Sequence, residues 1–253
     1  SIQYKDLLTK LINILKQSKR VCYMNYNNTN ESNYSVVGKK ILLGLSGLAL
    51  LGFIVGHLLG NLTILAGPDA INSYAHFLHK NKALIYVART ILLTALCVHV
   101  YLSISLTLTN KQARQTNYIH KQNLNSTFAA ETMIYTGFAI LFFIVYHLLH
   151  FTVGAIKPEF HGLRDEQERF DVYTMVVNSF SNGFISVYYL ASLTCLGFHL
   201  SHGFFSVCQT LSIVTTQKSI YIAKRFSKNL SIIIILGYML IPITILMEIV
   251  SCT

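Results

Sequence analysis

The sequence predicts an all-α integral membrane protein in which five transmembrane helices follow one another along the chain. Two observations predict this class. Hydrophobic residues make up 53% of the 253 residues and charged residues only 12%, and the apolar residues gather into five long windows. A soluble globular domain usually carries about 25% charged residues, so the composition argues against a soluble protein.

Each window is long enough to cross a bilayer, which takes about 20 apolar residues per helix. The windows define spans 1 to 5, at about 41–65, 84–108, 132–155, 185–211 and 230–250. Polar or helix-breaking residues mark several of their ends: Lys39-Lys40 and Gly67-Pro68 around span 1, Pro158 after span 3 and Asn182-Gly183 before span 4. We expect spans 1 to 4 to form a four-helix bundle, with span 5 at its flank.

The basic residues lie mainly on one side of the predicted membrane. Fourteen of the twenty Lys and Arg residues precede span 1 or lie in the loops after spans 2 and 4, whereas acidic residues outnumber basic ones in the loop after span 3. Lys and Arg accumulate in the loops that stay inside, so the N-terminus is expected inside. The net charge of +10 therefore indicates a membrane surface and not nucleic-acid binding.

Residues 1–37 form a separate basic arm ahead of a transmembrane domain at 38–253. Leucine and isoleucine side chains between residues 4 and 16 share one helical face, with lysines around it. This pattern predicts an amphipathic helix, which would either lie on the inner membrane surface or dock a partner protein.

Histidines inside the spans carry the functional signal, because an ionisable side chain within a bilayer is costly and rare. Spans 1 and 2 each hold one histidine, and spans 3 and 4 each hold a His-x-x-His pair. The six residues are His57, His99, His147, His150, His199 and His202. The five cysteines include no Cys-x-x-Cys, so covalent c-type haem attachment is not indicated.

The histidines fall at two depths when their positions are counted along alternating spans. His57 and His147 both lie beyond the midpoint of their spans toward the outer face, and His99 and His199 lie slightly toward the inner face. At a rise of about 1.5 Å per residue, the two levels are separated by something on the order of 10 Å. We name them the outer pair (His57, His147) and the inner pair (His99, His199).

Two stacked b-type haems, each held by two histidines from different helices, require this arrangement. Glycines beside the histidines would let a flat macrocycle approach, although small residues also serve plain helix packing. These glycines are Gly52, Gly56 and Gly60 in span 1, and Gly197 and Gly203 in span 4. A zinc site fits poorly, because the candidate ligands come from four helices at two depths.

Spacing alone leaves open which histidine of each His-x-x-His is the ligand, because positions i and i+3 share a helical face. The other histidine would bond a haem propionate, bond a quinone or support the bundle. Arg89, near the outer end of span 2, would either pair with a propionate or extend its charge to the interface.

Several short segments resemble the single-chain, five-helix, di-haem cytochrome b subunit of bacterial succinate:quinone oxidoreductases. The resemblance runs from about Val36 to beyond Ser212. Its marks are Gly38-Lys39-Lys40, Ser46-Gly47-Leu48, Gly56-His57-Leu58, Asn72-Ser73-Tyr74-Ala75, the segment 106–114, and Phe198-His199-Leu200-Ser201-His202-Gly203.

The resemblance implies a metal-ligand set of His57, His99, His147 and His199 and leaves His202 beside the ligand of span 4. His150 and Arg89 are the further candidates for contact with a haem propionate or a quinone. It implies a membrane anchor that passes electrons between an iron–sulfur subunit and membrane quinone through two haems b. An FAD-containing flavoprotein would complete the enzyme on the inner face. Some relatives carry a glutamate, tied to proton movement, where this chain has Gly197, which puts that coupling in doubt.

Two other functions remain open at this point. A di-haem cytochrome b of another quinone-linked dehydrogenase would share the histidine pattern, and a transporter or haem-free structural protein would use the histidines to line a polar path. We expect a bacterial cytoplasmic membrane, with the mitochondrial inner membrane as the alternative. Succinate oxidation and fumarate reduction are not distinguished by the sequence.

Overall fold

The computed structural model describes residues 36–112 and 131–252. It has five helices long and apolar enough to cross a membrane: Val36–Ala66, Lys82–Gln112, Met133–Val153, Gly183–Thr210 and Gln217–Leu246. These are spans 1 to 5, and the described part of the chain has no β-strand, only an isolated bridge between Arg164 and Phe170. The predicted all-α membrane class and the number of spans are confirmed, while the arm at 1–37 lies almost wholly outside the described residues.

Two short helices lie between the spans, Pro68–Lys80 after span 1 and Val172–Phe180 before span 4. We call the end of the molecule at which span 1 begins the inner end and the opposite end the outer end. Because consecutive spans run in opposite directions, both short helices lie at the outer end. A 3₁₀ turn, Pro158–Phe160, also belongs to this end.

Local sequence explains where spans 1 and 4 meet the outer end. Span 1 finishes in a 3₁₀ turn, Thr63–Ala66, and Gly67 then adopts a φ of 102°, which glycine tolerates far better than other residues. Asn182 caps span 4 by accepting hydrogen bonds from the backbone N–H groups of Phe184 and Ile185.

Span 5 begins 13 residues earlier than the predicted window at about 230, with Gln217 as its first helical residue. Thr216 and Ser219 form a reciprocal capping box that satisfies the free N–H groups of the first turn. The basic residues Lys218, Lys224 and Arg225 therefore stand on the first turns of a helix, where the sequence had suggested a loop.

The spans contact one another through specific side chains. Span 4 packs along both span 3 and span 5. Span 1 meets span 5 where the Tyr238 hydroxyl donates to the Ile54 carbonyl at 2.6 Å. It meets span 2 where the Lys39 ammonium donates to the Ser105 hydroxyl at 3.3 Å. Lys39 lies within span 1, Val36–Ala66.

A buried apolar cluster fills the outer end. Its members come from span 1, both short helices and spans 4 and 5, and include Ile64, Ile71, Val177, Phe180, Tyr189 and Ile245. Burial of such side chains is worth about 25 cal/mol per Å² of apolar surface. The short helices are thus held against the spans by hydrophobic contact.

A polar network fastens the same region. Arg169 donates from Nε to Asp165 at 2.8 Å and lies 2.9 Å from Asp69. Asn72, which is 1% exposed, donates to Asp165 and Asp171 and accepts from the backbone N–H of Tyr173. The network ties the Pro68–Lys80 helix to residues 165–173 of the chain after span 3. We call these two segments together the outer cap.

Candidate functional site

The outer pair joins span 1 to span 3. The imidazole rings of His57 and His147 lie 5.9 Å apart between centroids and are nearly perpendicular, at 81°. Phe53, one turn before His57, stacks on its ring at 5.2 Å. The Asn61 amide donates to the His57 carbonyl at 2.7 Å and lies 3.2 Å from its Nδ1.

The inner pair joins span 2 to span 4. The rings of His99 and His199 lie 6.2 Å apart between centroids at an angle of 61°. Each ring contacts a hydroxyl from the preceding span. Ser46 Oγ lies 3.3 Å from His99 Nδ1, and Thr136 Oγ1 lies 3.4 Å from His199 Nδ1.

The vertical distance between the two levels can be counted on two spans independently. Ser46, at the level of His99, stands eleven positions before His57, and Thr136, at the level of His199, stands eleven positions before His147. Eleven residues rise about 16 Å along a helix axis. The two levels are thus somewhat farther apart along the helices than the predicted order of 10 Å.

The ring separations fit a metal held between two imidazoles. Two metal–nitrogen bonds of about 2 Å, with about 1 Å from each nitrogen to its ring centre, place the ring centres about 6 Å apart. Within the described residues, no group of three or more His, Cys, Asp or Glu side chains is placed to hold a metal ion. Each level therefore offers a pair of imidazoles, the protein donor set that a six-coordinate haem uses.

The glycines of span 1 differ in what surrounds them. A Cβ added at Gly52 or Gly56 would meet no atom within 4 Å, whereas one at Gly60 would overlap the ring of Tyr74. Gly52 and Gly56 thus leave the open space that a macrocycle beside His57 would need. Gly60 instead serves the contact between span 1 and the outer cap.

The glycines of span 4 also differ. A Cβ at Gly197 would lie 3.2 Å from Ile235 of span 5, while one at Gly203 would meet nothing within 4 Å. Gly197 therefore serves the contact between spans 4 and 5, and any side chain added at this position would require Ile235 to shift by a few tenths of an ångström.

His150 lies apart from the two ring pairs. It is 3% exposed and belongs to a π-helical turn, Leu148–Val153, that ends span 3. Its Nδ1 lies 3.1 Å from the Tyr189 hydroxyl, which also lies 3.4 Å from His147 Nδ1. Its Nε2 is buried and has no hydrogen-bond partner among the residues that the structure describes.

His202 and Arg89 are less enclosed. His202 is half-buried, three residues after His199 on span 4. Arg89 is exposed near the outer end of span 2, ten residues or about 15 Å of helix from His99. In the outer cap, the pKa of His79 is lowered mainly by burial and further by the positive charges of Arg89 and Arg164.

Three polar residues at the two pairs were not identified as site residues from the sequence: Ser46, Thr136 and Tyr189. A signal for the first two exists, because spans 1 and 3 both contain a Ser or Thr followed by Gly and, ten residues after that glycine, by His. No comparable pattern marks Tyr189, whose contact with His147 and His150 depends on the packing of span 4 against span 3.

Comparison with known proteins adds no relative: no protein-family model, no curated protein and no solved structure matches the chain. The fold, the site geometry and the sequence motifs are therefore the basis for proposing a function.

Proposed function

We propose that this chain is the di-haem cytochrome b membrane anchor of a succinate:quinone oxidoreductase, acting in succinate oxidation or fumarate reduction. The observation that carries the proposal is the geometry of the inner and outer pairs. Each pair has its ring centres about 6 Å apart, the separation that ligation of one metal by two imidazoles requires. The enzyme class itself is supported by the sequence motifs alone.

Bound haem b would supply a one-electron carrier at each level. His57 and His147 would hold the outer haem, and His99 and His199 the inner haem. The surrounding apolar side chains would keep water away from the irons, which affects their reduction potentials. His150, His202 and Arg89 would act on propionates or quinone around these haems.

The inner end would receive the soluble subunits. Basic residues on the first turns of span 5 project there, and Lys224 lies 5.3 Å from the centre of the Phe205 ring. Positive charge at the inner end supports an N-terminus inside the cell or the mitochondrial matrix. An iron–sulfur subunit with its FAD-containing flavoprotein would dock on this surface, and quinone would be reduced or oxidised within the membrane.

Haem quantification with a reduced-minus-oxidised spectrum of the purified full-length protein tests the proposal. We expect two b-type haems per chain and copurification of a flavin-bearing subunit. Two haems with a flavin-free partner would indicate the anchor of another quinone-linked dehydrogenase. Absence of a Soret band after expression with sufficient haem would refute the proposal and favour a transporter or a structural protein.

A further inference from the structure

Spans 1 and 3 each place a hydroxyl residue followed by a glycine against one histidine of the inner pair. Ser46-Gly47 lies against His99, and Thr136-Gly137 lies against His199. A Cβ at Gly47 would lie 3.3 Å from Cε1 of His99, and one at Gly137 would lie 3.6 Å from Cε1 of His199. Each ring therefore approaches a helix backbone closely, with a hydroxyl at its Nδ1.

Both hydroxyls also lie within bonding distance of a carbonyl of their own helix. Ser46 Oγ donates to the Leu43 carbonyl at 2.9 Å. Thr136 Oγ1 is within bonding distance of the Met133 carbonyl at 3.0 Å and the Thr132 carbonyl at 3.1 Å. A hydroxyl has one proton and two lone pairs. Once its proton is bonded to a carbonyl of its own helix, it can only accept from the imidazole.

A hydroxyl that only accepts selects one imidazole tautomer, because the ring nitrogen beside it must carry a hydrogen. His99 and His199 would then be protonated at Nδ1, and the lone pair of each ring would be at Nε2. This is the state in which a histidine binds a metal through Nε2 while a neighbouring group fixes its orientation.

We propose that Ser46 and Thr136 are positioning residues that hold both inner-pair histidines in the Nδ1-protonated tautomer, with Nε2 free for a metal. The tautomer follows from the contacts of the chain itself, and only the identity of the metal group, a haem iron, rests on the proposed function. Ser46 and Thr136 are 8% and 7% exposed, so these two hydroxyls are largely shielded from water.

The outer pair has no equivalent arrangement in the described structure. The amide nitrogen of Asn61, identified as nitrogen by its bond to the His57 carbonyl, brings a donor toward His57. Tyr189 contacts both His147 and His150 with one hydroxyl. Variants of Ser46 and Thr136 should consequently affect the inner level alone.

An acceptor at Nδ1–H makes the imidazole a more basic ligand and favours the more positive oxidised iron. Ser46→Ala or Thr136→Val should therefore raise the midpoint potential of the inner haem. We expect about a threefold change in the redox equilibrium for each variant, which is about 28 mV at 59 mV per tenfold change. The potential of the outer haem should stay within error.

Redox titration of the purified complex, with the two haems followed by their spectra, is the measurement. Ser46→Thr and Thr136→Ser keep a hydroxyl and should restore the wild-type potential. Ser103→Ala is the matched control, because Ser103 donates to the backbone carbonyl of His99 at 2.7 Å and not to its ring. Two bound haems with an unchanged inner potential in both Ser46→Ala and Thr136→Val would overturn the proposal.

A second readout does not need the haem. In the haem-free protein labelled with ¹⁵N-histidine, the nitrogen shifts of His99 and His199 should show protonation at Nδ1, and Ser46→Ala should move the shifts of His99. Protonation of both rings at Nε2 would overturn the inference. If the protein binds no haem, the proposed function fails, and the same spectra still decide whether the tautomers are fixed.

Discussion

The two histidine pairs have nearly the same ring separation but different surroundings. In the inner pair, each ring has a hydroxyl of the preceding span at 3.3 to 3.4 Å from its Nδ1, Ser46 beside His99 and Thr136 beside His199. The outer pair lies beside an apolar cluster that includes Tyr189 and the two short helices. Each inner ring has one hydroxyl contact from a single neighbouring span. The outer rings have polar contacts with Asn61 and Tyr189 and, in addition, the packing of many elements around them.

Two imidazole pairs with nearly the same ring separation can thus be held in place by different interactions. A hydroxyl contact fixes one tautomer at low steric cost, while an aromatic environment fixes ring position and excludes water. Changes at the inner level should therefore alter ligand electronics, whereas changes at the outer level should alter packing and occupancy.

The largest expected effect is the loss of a whole haem. His199→Ala removes one of two inner imidazoles, so the haem content should fall from about two per chain to about one. His202→Ala is the matched control, since it should keep the inner haem at an altered potential. Quantification of extracted haem decides, and loss of the inner haem in both variants would refute the assignment of His199.

The open space beside His57 gives the next largest effect. Gly56→Leu should occupy space that the polypeptide itself leaves empty, so we expect the outer haem to be largely lost while the inner haem remains. Gly38→Leu is the control, because Gly38 has equally open surroundings and lies about 28 Å of helix from His57.

Difference spectra and the thermal stability of the haem-free protein separate steric exclusion from misfolding. Full occupancy of both levels in Gly56→Leu would mean that the open space at Gly56 belongs to lipid.

Replacing Tyr189 by phenylalanine removes a polar group near the outer pair while the shape of the ring is kept. Tyr189→Phe removes a hydroxyl that lies 3.1 Å from His150 Nδ1. Since Nε2 of this buried ring already has no partner among the described residues, both of its nitrogens would then be unsatisfied. Such a loss costs about 1–3 kcal/mol, measured as a lower thermal midpoint in detergent. The outer potential should also shift, while Tyr188→Phe, at a more exposed ring, should change neither quantity.

The smallest effect is expected at the outer cap. Burial alone would raise the pKa of the Asp165 carboxyl, but hydrogen bonds from the backbone and guanidinium of Arg169, and its positive charge, lower it overall. Because the folded pKa is depressed, the stabilisation is present above the ordinary carboxyl pKa of about 3.9 and lost as the pH falls through the folded value.

Asp165→Asn should lower the thermal midpoint by no more than about 3 °C at neutral pH and flatten its dependence on acid. A midpoint that fell equally steeply in acid for the variant and the wild type would assign the acid sensitivity to another group.

Hydropathy was sufficient to predict the five spans, because long apolar windows depend on composition alone. It could not predict the start of span 5 at Gln217. The first turns of this helix are polar, and their stability comes from the capping box of Thr216 and Ser219. Lysines near span 1 were likewise expected to precede the helix, whereas Lys39 lies inside it and bonds Ser105.

Counting depth on alternating spans was sufficient to predict which histidines lie at the same level. The same count could not predict where His150 lies relative to His147. It assumes an α-helix, whereas the chain forms a π-helical turn from Leu148 onward. The roles of Ser46 and Thr136 depend on which neighbouring span each one faces. A single sequence does not contain that information.

The eleven-residue interval in spans 1 and 3 has a mechanical consequence. Eleven residues make three helical turns plus about 20° of rotation, so Ser46 and His57 lie almost on one line along span 1. A rigid rotation of span 1 would turn both residues together, away from the inner and outer rings at once. Deleting one residue between them would instead rotate one relative to the other by about 100°. The eleven-residue spacing on spans 1 and 3 thus fixes both the distance and the relative rotation between the two levels.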